Sequence, residues 1–187
     1  MAGVLLGALA ATTKPWVDQI LSRFMDVILA LPSMLMAIVV IAILGPSLSN
    51  TILAVSVVLV PSIFRVIRVS LQQEVHKTYM TALQTLGASW WRRVVVNAFP
   101  NVVSGLIVQV SLGFSEAILN AAALGFLGLG VQAPYPEWGV MLSDARPFIE
   151  TAPWQVTLPG LCILLLVLGL NLLGDGLRER LDPKLKR

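Results

Sequence analysis

The chain has 187 residues, of which 57% are hydrophobic and only 12% charged, with a mean hydropathy of +0.84. A soluble domain carries about 25% charged residues, so this composition argues for a lipid environment. The net charge of +3 would also suit nucleic acid, but the basic residues flank apolar runs and form no aromatic-interleaved patch. Membrane topology accounts for the excess, and nucleic-acid binding is excluded from the reading.

Met1–Ala11 is apolar but lacks a basic flank, and Lys14 and Pro15 follow it where a cleavage site would stand. It does not read as a signal peptide. At 1.5 Å per residue it is too short to cross about 30 Å of hydrocarbon. A partial N-terminal span over about residues 1–13 is expected, as in a truncated chain.

Val27–Leu44 is charge-free over eighteen residues, long enough for a spanning helix, with Pro32 marking a kink or a shifted first turn. Gly45-Pro46-Ser47 closes it as a turn. A further span covers about 48–64. Its β-branched residues would favour a strand in water, but an open strand in a bilayer leaves backbone groups unpaired, so a helix is expected. The remaining spans cover about 102–121 and 154–173. Residues 124–153 form the connecting loop between them, rich in Gly and Pro. Its start, Leu124–Gly130, is apolar enough to pack on the helices or dip into the outer leaflet. The expected architecture is all-α and polytopic, a single transmembrane domain over 1–187 with four full spans.

Twelve of the thirteen Lys and Arg residues lie in the Lys14–Arg23 loop, the Arg65–Arg93 loop and the Arg178–Arg187 tail. Alternating spans place all three on one side, leaving only Arg146 opposite. By the positive-inside rule that side, with the C-terminus, is cytoplasmic. Cys162 and His76 are each the only residue of their type. Neither supports a disulfide or a metal set; Cys162 is expected to be a buried packing residue and His76 a solvated loop residue.

Within the cytoplasmic loop, Glu74–Gln84 can form a helix, Gly87 breaks it, and Ala88–Asn97 can form another before Pro100 opens the next span. Such a hairpin at residues 74–97 is either a rigid knob for a partner's groove or a plain connection. Trp90 and Trp91 are placed to anchor it at the lipid interface, with Arg92 and Arg93 beside lipid phosphates. On the next span Gly105, Gln109, Gly113, Glu116 and Asn120 recur at helical spacing, on an arc of roughly 80°. An ionisable group inside a span costs at least about 2–3 kcal/mol unless it meets partners or water. This face therefore lines a translocation path or forms a helix seam.

The stretch from Tyr79 to Pro100 resembles the ATPase-docking "EAA" loop of bacterial ABC importer permeases. Ala82, Gly87 and Pro100 hold the expected places. Thr81 stands at the usual Glu position, Leu83 at the second Ala and Phe99 at the usual Leu before the Pro. Asp26–Ser33, Gly45-Pro46, Leu124–Gly130, Pro136–Gly139, Ala152–Trp154, Asn171–Arg178 and Asp182–Lys186 resemble the dipeptide/oligopeptide/nickel branch, nearest its dipeptide "C" type. The resemblance implies a type I ABC importer transmembrane domain in the bacterial inner membrane. It also implies that Tyr79, Thr81, Ala82, Gly87, Ala88, Phe99 and Pro100 carry the coupling loop. The partners implied are two ATP-binding subunits, a second homologous permease, an extracytoplasmic peptide-binding protein and membrane lipid. No cofactor, metal or catalytic residue is expected, and no Gly-x-x-x-x-Gly-Lys-Ser/Thr loop is present. Peptide import is the leading function. A nickel or opine importer, or a truncated fragment without transport, are the alternatives. Whether Glu74 replaces the missing acidic contact at Thr81 is left open by the residues.

Overall fold

The structure, a computed structural model, describes residues 1–181, and among them every regular element is helical. The Asp182–Lys186 block and the end of the basic tail lie outside the described residues. Eight α-helices follow in order: α1 Ala2–Thr12, α2 Pro15–Leu29, α3 Ser33–Leu44, α4 Leu48–Val75, α5 Thr78–Thr85, α6 Phe99–Phe126, α7 Trp138–Asp144 and α8 Trp154–Leu181. A π-helical segment, Arg92–Ala98, leads into α6, and a 3-10 turn, Arg146–Phe148, follows α7. Helices 4, 6 and 8 are long and apolar enough to cross a membrane, and α2 with α3 qualifies only as a pair.

Local chemistry explains the breaks. Pro15 takes the first position of α2, where its missing N–H costs nothing. Pro32 caps the start of α3 with an extended ψ of 136°, so the expected continuous helix over 27–44 is instead two helices parted at residues 30–32. A proline there lacks the N–H that would carry the ladder onward, and it forces the preceding residue out of the α region. Between α3 and α4, Ser47 Oγ accepts the Asn50 N–H at 3.2 Å. The Asn50 amide donates to the carbonyls of Leu44 and Gly45, both at 2.9 Å, closing the end of α3.

The long helices exceed the apolar runs that announced them. Helix 4 continues past Phe64 to Val75, carrying Arg65 and Arg68, because α2 supplies carboxylates to meet them. Arg68 Nη2 donates to Asp18 Oδ2 at 2.7 Å while its Nε donates to Oδ1. Gln72 and Ser22 also donate to Asp18, and Arg65 reaches Asp26 at 3.3 Å. Helix 6 likewise runs from Phe99 to Phe126, so Leu124 and Gly125 belong to a helix and not to the loop that follows.

Two compact units share these helices, one from residues 1–28, 60–110 and the described residues from 174 onward, the other from 29–59 and 111–173. The single transmembrane domain of the sequence reading thus comprises two units, each with its own core. In the first, Ile67, Leu71, Met80, Ala98 and Val102 are buried together, beside a smaller cluster of Ala10, Met25 and Phe64. Helix 1 packs on α4 through Gly3 and Gly7, one turn apart. A Cβ at either would stand 2.8 and 2.7 Å from the carbonyls of Val60 and Phe64, inside contact distance. In the second unit Ala37, Ile41, Ala54, Val55, Val58 and Leu124 form the core. Helix 8 leaves Leu158, Leu164, Leu165, Leu172 and Leu173 mostly bare, the surface of a helix meant for lipid. Cys162 is exposed on it and not buried as expected, because no other helix among the described residues covers that face.

Candidate coupling hairpin and outer loop

The hairpin begins where α4 ends. Glu74 is the penultimate residue of α4, not the start of a separate helix, and its side chain turns inward with only 5% exposure. Tyr79 donates its hydroxyl to Glu74 Oε1 at 2.7 Å, and the Asn101 amide donates to the same oxygen at 2.9 Å and to the Tyr79 hydroxyl at 3.1 Å. Lys77 Nζ meets the other oxygen, Oε2, at 2.5 Å. One carboxylate thereby ties together the end of α4, the start of α5 and the first turn of α6. A buried charge is tolerable only with such a full set of donors. Burial of its hydroxyl, then the bond to Glu74, pushes the Tyr79 phenol above its ordinary range. The Glu74 carboxylate is thus engaged by three donors within the chain and lies buried, not on the surface of the hairpin.

Helix 5 ends as a Schellman motif. Gly87 stands at φ +75°, its N–H bonds the Gln84 carbonyl at 3.0 Å and the Ala88 N–H bonds the Leu83 carbonyl at 3.0 Å. The bend leaves Thr81, Ala82, Thr85 and Gly87 exposed, and Leu86 at its apex is 82% exposed. Instead of an α-helix over Ala88–Asn97, the return strand of the hairpin is mostly π-helix. Phe99 N–H bonds Val94 O, five residues back. Pro100 has no N–H to offer next, so the wide ladder stops and α6 begins. Asn97 Nδ2 donates to the Arg92 carbonyl at 2.5 Å, and Arg93 donates to Gln84 at 2.8 Å across the hairpin. Phe99 packs on the buried cluster around Met80 and Ala98, while Pro100 is exposed. Trp90 and Trp91 are both exposed, as is His76, whose Nδ1 lies 2.6 Å from the Gln72 carbonyl.

The five polar and small residues of α6 differ in surroundings. Gly105 and Glu116 are exposed, Gly113 is buried, and Gln109 and Asn120 are partly buried. A Cβ at Gly105 would meet nothing and one at Gly113 would only touch Leu59 at 4.0 Å, so neither glycine is held by a close approach within the chain. Glu116 has no ion-pair partner among the described residues, and the Asn120 amide nitrogen is buried with no hydrogen-bond partner among them. The sequence reading overlooked Ser115, which donates to Asn171 of α8 at 2.8 Å. An asparagine inside a charge-free span was the available signal.

The loop after α6 opens on a second Schellman turn. Gly128 stands at φ +77°, and Leu129 N–H bonds the Leu124 carbonyl at 2.9 Å, with Leu129 packed on the core around Leu124. Glu137 folds back so that Oε2 accepts the Val131 N–H at 2.8 Å. Its carboxyl lies where a Cβ at Gly125 or Gly130 would be. Helix 7 then docks on α6 with Gly139 against the Ala122 carbonyl, and Arg146 stacks over the Phe126 ring at 4.1 Å. Burial pushes the Glu137 carboxyl up, against the Val131 bond, which pulls it down. A raised folded-state pKa means the loop's added stability is fully present below the ordinary glutamate range. That stability is lost as pH rises through the raised value. Amide protection of the Leu127–Gly139 segment, corrected for intrinsic exchange, should therefore fall from acidic to neutral pH in the native chain and stay flat in Glu137→Gln. A flat profile in both would refute the assignment.

Residues 3–187 match the family of binding-protein-dependent transport system inner membrane components, and the chain belongs to that family. It is thus an integral inner-membrane chain of a transport family. It is 53% identical over 184 residues to the di/tripeptide transport system permease protein DppC of Pseudomonas aeruginosa, covering 98% of this chain and 61% of that protein. Against the dipeptide transport system permease protein DppC of Escherichia coli K12 it is 54% identical over 168 residues, 90% of this chain and 56% of that one. The chain therefore spans about three-fifths of the length of these relatives. A solved structure of the MetNI methionine ABC transporter in inward-facing conformations superposes with a TM-score of 0.78. At 18% identity, over 96% of this chain and 86% of that chain, it shows the shared fold.

Proposed function

We propose that the chain is the permease subunit of an ATP-driven importer that moves di- and oligopeptides across the bacterial inner membrane. The observation that carries this reading is identity above 50% to proteins named for dipeptide transport, over at least 90% of the chain. In this reading the C-terminus and the 74–97 hairpin face the cytoplasm, and the hairpin docks on one of two ATP-binding subunits. A second homologous permease completes the pathway, and a peptide-binding protein delivers substrate to the outer loop. The braced geometry supports the docking role: a knob whose base is held by a buried carboxylate transmits a push without dissipating it. The exposed Glu116 on α6 belongs to the peptide path or to the seam with the second permease, where a charge finds the partner it lacks among the described residues.

Uptake of a radiolabelled dipeptide by cells lacking their own dipeptide permeases, after expression of this gene with its ATPase, permease and binding-protein partners, tests the function. Peptide accumulation supports it, and accumulation of nickel without peptide would replace it. Within that system Gly87→Ala should cost about 1 kcal/mol of hairpin stability, since an L-residue pays to enter the left-handed region. No neighbour obstructs the new methyl group, so assembly should survive while transport per ATP falls. Unchanged coupling would remove the bend from the mechanism.

A further inference from the structure

Helix 2 carries two apolar stripes: Leu21, Met25 and Ile28 pack on the chain, and a second stripe stays outside. Met25 is buried against the chain, whereas Trp16, Ile20, Phe24 and Val27, spaced 4, 4 and 3 apart, are 60–70% exposed. Asp18, Arg23 and Asp26 on the same helix, with Lys14 just before it, bar α2 from the hydrocarbon core. A helix with aromatic and aliphatic residues outward and cations alongside belongs in the plane of the membrane interface.

Beside that stripe α2 and α4 enclose a cleft of about 810 Å³, lined by Ser22, Arg23, Asp26, Phe64, Arg65 and Arg68 among others. Its cations are unequally engaged. Arg68 is committed to Asp18 through two nitrogens. Arg65 touches Asp26 through a single nitrogen at 3.3 Å, with both side chains more than half exposed. Arg23 has no acidic partner among the described residues. Asp26, the carboxylate lining the cleft, is thus offset by one arginine and leaves a second uncompensated. Arg65, held by that single contact, and the unpaired Arg23 both line this cleft, as does Ile20 of the exposed apolar face. Planar donors of this kind match phosphate oxygens, and basic clefts at the edge of membrane helices hold anionic lipid headgroups.

We propose that the cleft between α2 and α4 binds the phosphodiester headgroup of an anionic membrane lipid through Arg23 and Arg65. The acyl chains lie along Trp16, Ile20, Phe24 and Val27. The site belongs to the membrane-embedded chain whatever substrate it carries, so it stands apart from the peptide reading.

The test uses the assembled transporter containing the full gene product, reconstituted in phosphatidylcholine vesicles with a minor fraction of phosphatidylglycerol. Electron spin resonance of spin-labelled phosphatidylglycerol and phosphatidylcholine reads the motionally restricted lipid. The native protein should prefer phosphatidylglycerol, and Arg23→Gln and Arg65→Gln should each weaken that preference about fivefold, as for one interfacial cation. Arg23→Lys with Arg65→Lys should retain most of it, showing that charge in place, and not a refolded helix, carries the effect. Arg68 is left intact because its loss would release Asp18. Equal preference in the native protein and the double Gln variant would overturn the proposal. Displacement of the labelled lipid by inorganic phosphate would reassign the cleft to a free anion. No preference in the native transporter would mean that protein fills the cleft.

Discussion

Glu74→Ala should separate ATP hydrolysis from transport while leaving the chain inserted in the membrane. The substitution removes both acceptors of a buried carboxylate, taking a partner from the Tyr79 hydroxyl, the Asn101 amide and the Lys77 ammonium at once, and leaves Tyr79 and Asn101 only each other and the Asn97 carbonyl. Hydrogen bonds to a charged group contribute about 1.5–3 kcal/mol each, but Lys77 is well exposed and recovers water. A net loss of about 3 kcal/mol is expected, concentrated where the hairpin meets the long helices. Helix 5 has few other attachments: Met80 is its only fully buried residue, with Leu83 partly covered. The knob would therefore loosen as a unit while α4 and α6 keep their own ladders. Glu74→Gln keeps an oxygen for Tyr79 and Asn101 and loses only the ionic contact, so it should fall between the native chain and Glu74→Ala. Tyr79→Phe should cost about 1 kcal/mol. Hydrogen exchange over residues 76–97, together with transport per ATP in proteoliposomes, reads the effect. Native coupling in Glu74→Ala would show that the brace is dispensable.

The second large effect is expected at Gly139. A methyl group there would overlap the Ala122 carbonyl oxygen, with the carbonyl carbon and Cα of Ala122 both at 2.9 Å. Backbone atoms in the last turns of α6 have no rotamer to yield, so α7 must lift away, and with it the neighbouring Glu137 that bonds Val131. Overpacking against backbone costs about 3 kcal/mol, and in a chain of this size that lowers the melting temperature by roughly 10 °C. Gly160→Ala and Gly169→Ala provide the contrast, since nothing lies within 4 Å of either new methyl group and alanine favours a helix. They should be neutral or slightly stabilising. Equal melting temperatures for Gly139→Ala and Gly160→Ala would contradict the close approach of α7 and α6.

Much of this architecture was legible before any coordinates. Long charge-free runs announced helices because lipid leaves a backbone no other way to satisfy itself. The bend at Gly87 was equally readable, since only glycine enters a left-handed turn without strain. The helix ends were misjudged for one recurring reason. Arg65 and Arg68 ended an apolar run and so seemed to end a helix, but their charges are met by Asp26 and Asp18 from a segment some forty to fifty residues away. Hydropathy along a chain cannot register a partner brought in from elsewhere. The π-helical turn escaped for a related reason: Val94, Val95 and Val96 suit many geometries, and the missing N–H of Pro100 acts on carbonyls several residues earlier. Gly3 and Gly7 did carry a signal, a small-residue pair one turn apart, that went unread beside the question of how the span begins.

The sequence by itself determined the class of molecule: a helical membrane chain, with a loop that bends at a glycine and resembles a known coupling element. Those properties depend on composition, periodicity and single-residue conformational limits, all of which are local. Only the tertiary structure decided that Glu74 is a buried brace and not a surface contact, that Asp18 answers Arg68, and that Gly139 marks the docking of α7. Each of these depends on two residues meeting from different helices. Periodicity says which face of a helix a residue occupies, but packing alone selects what stands opposite.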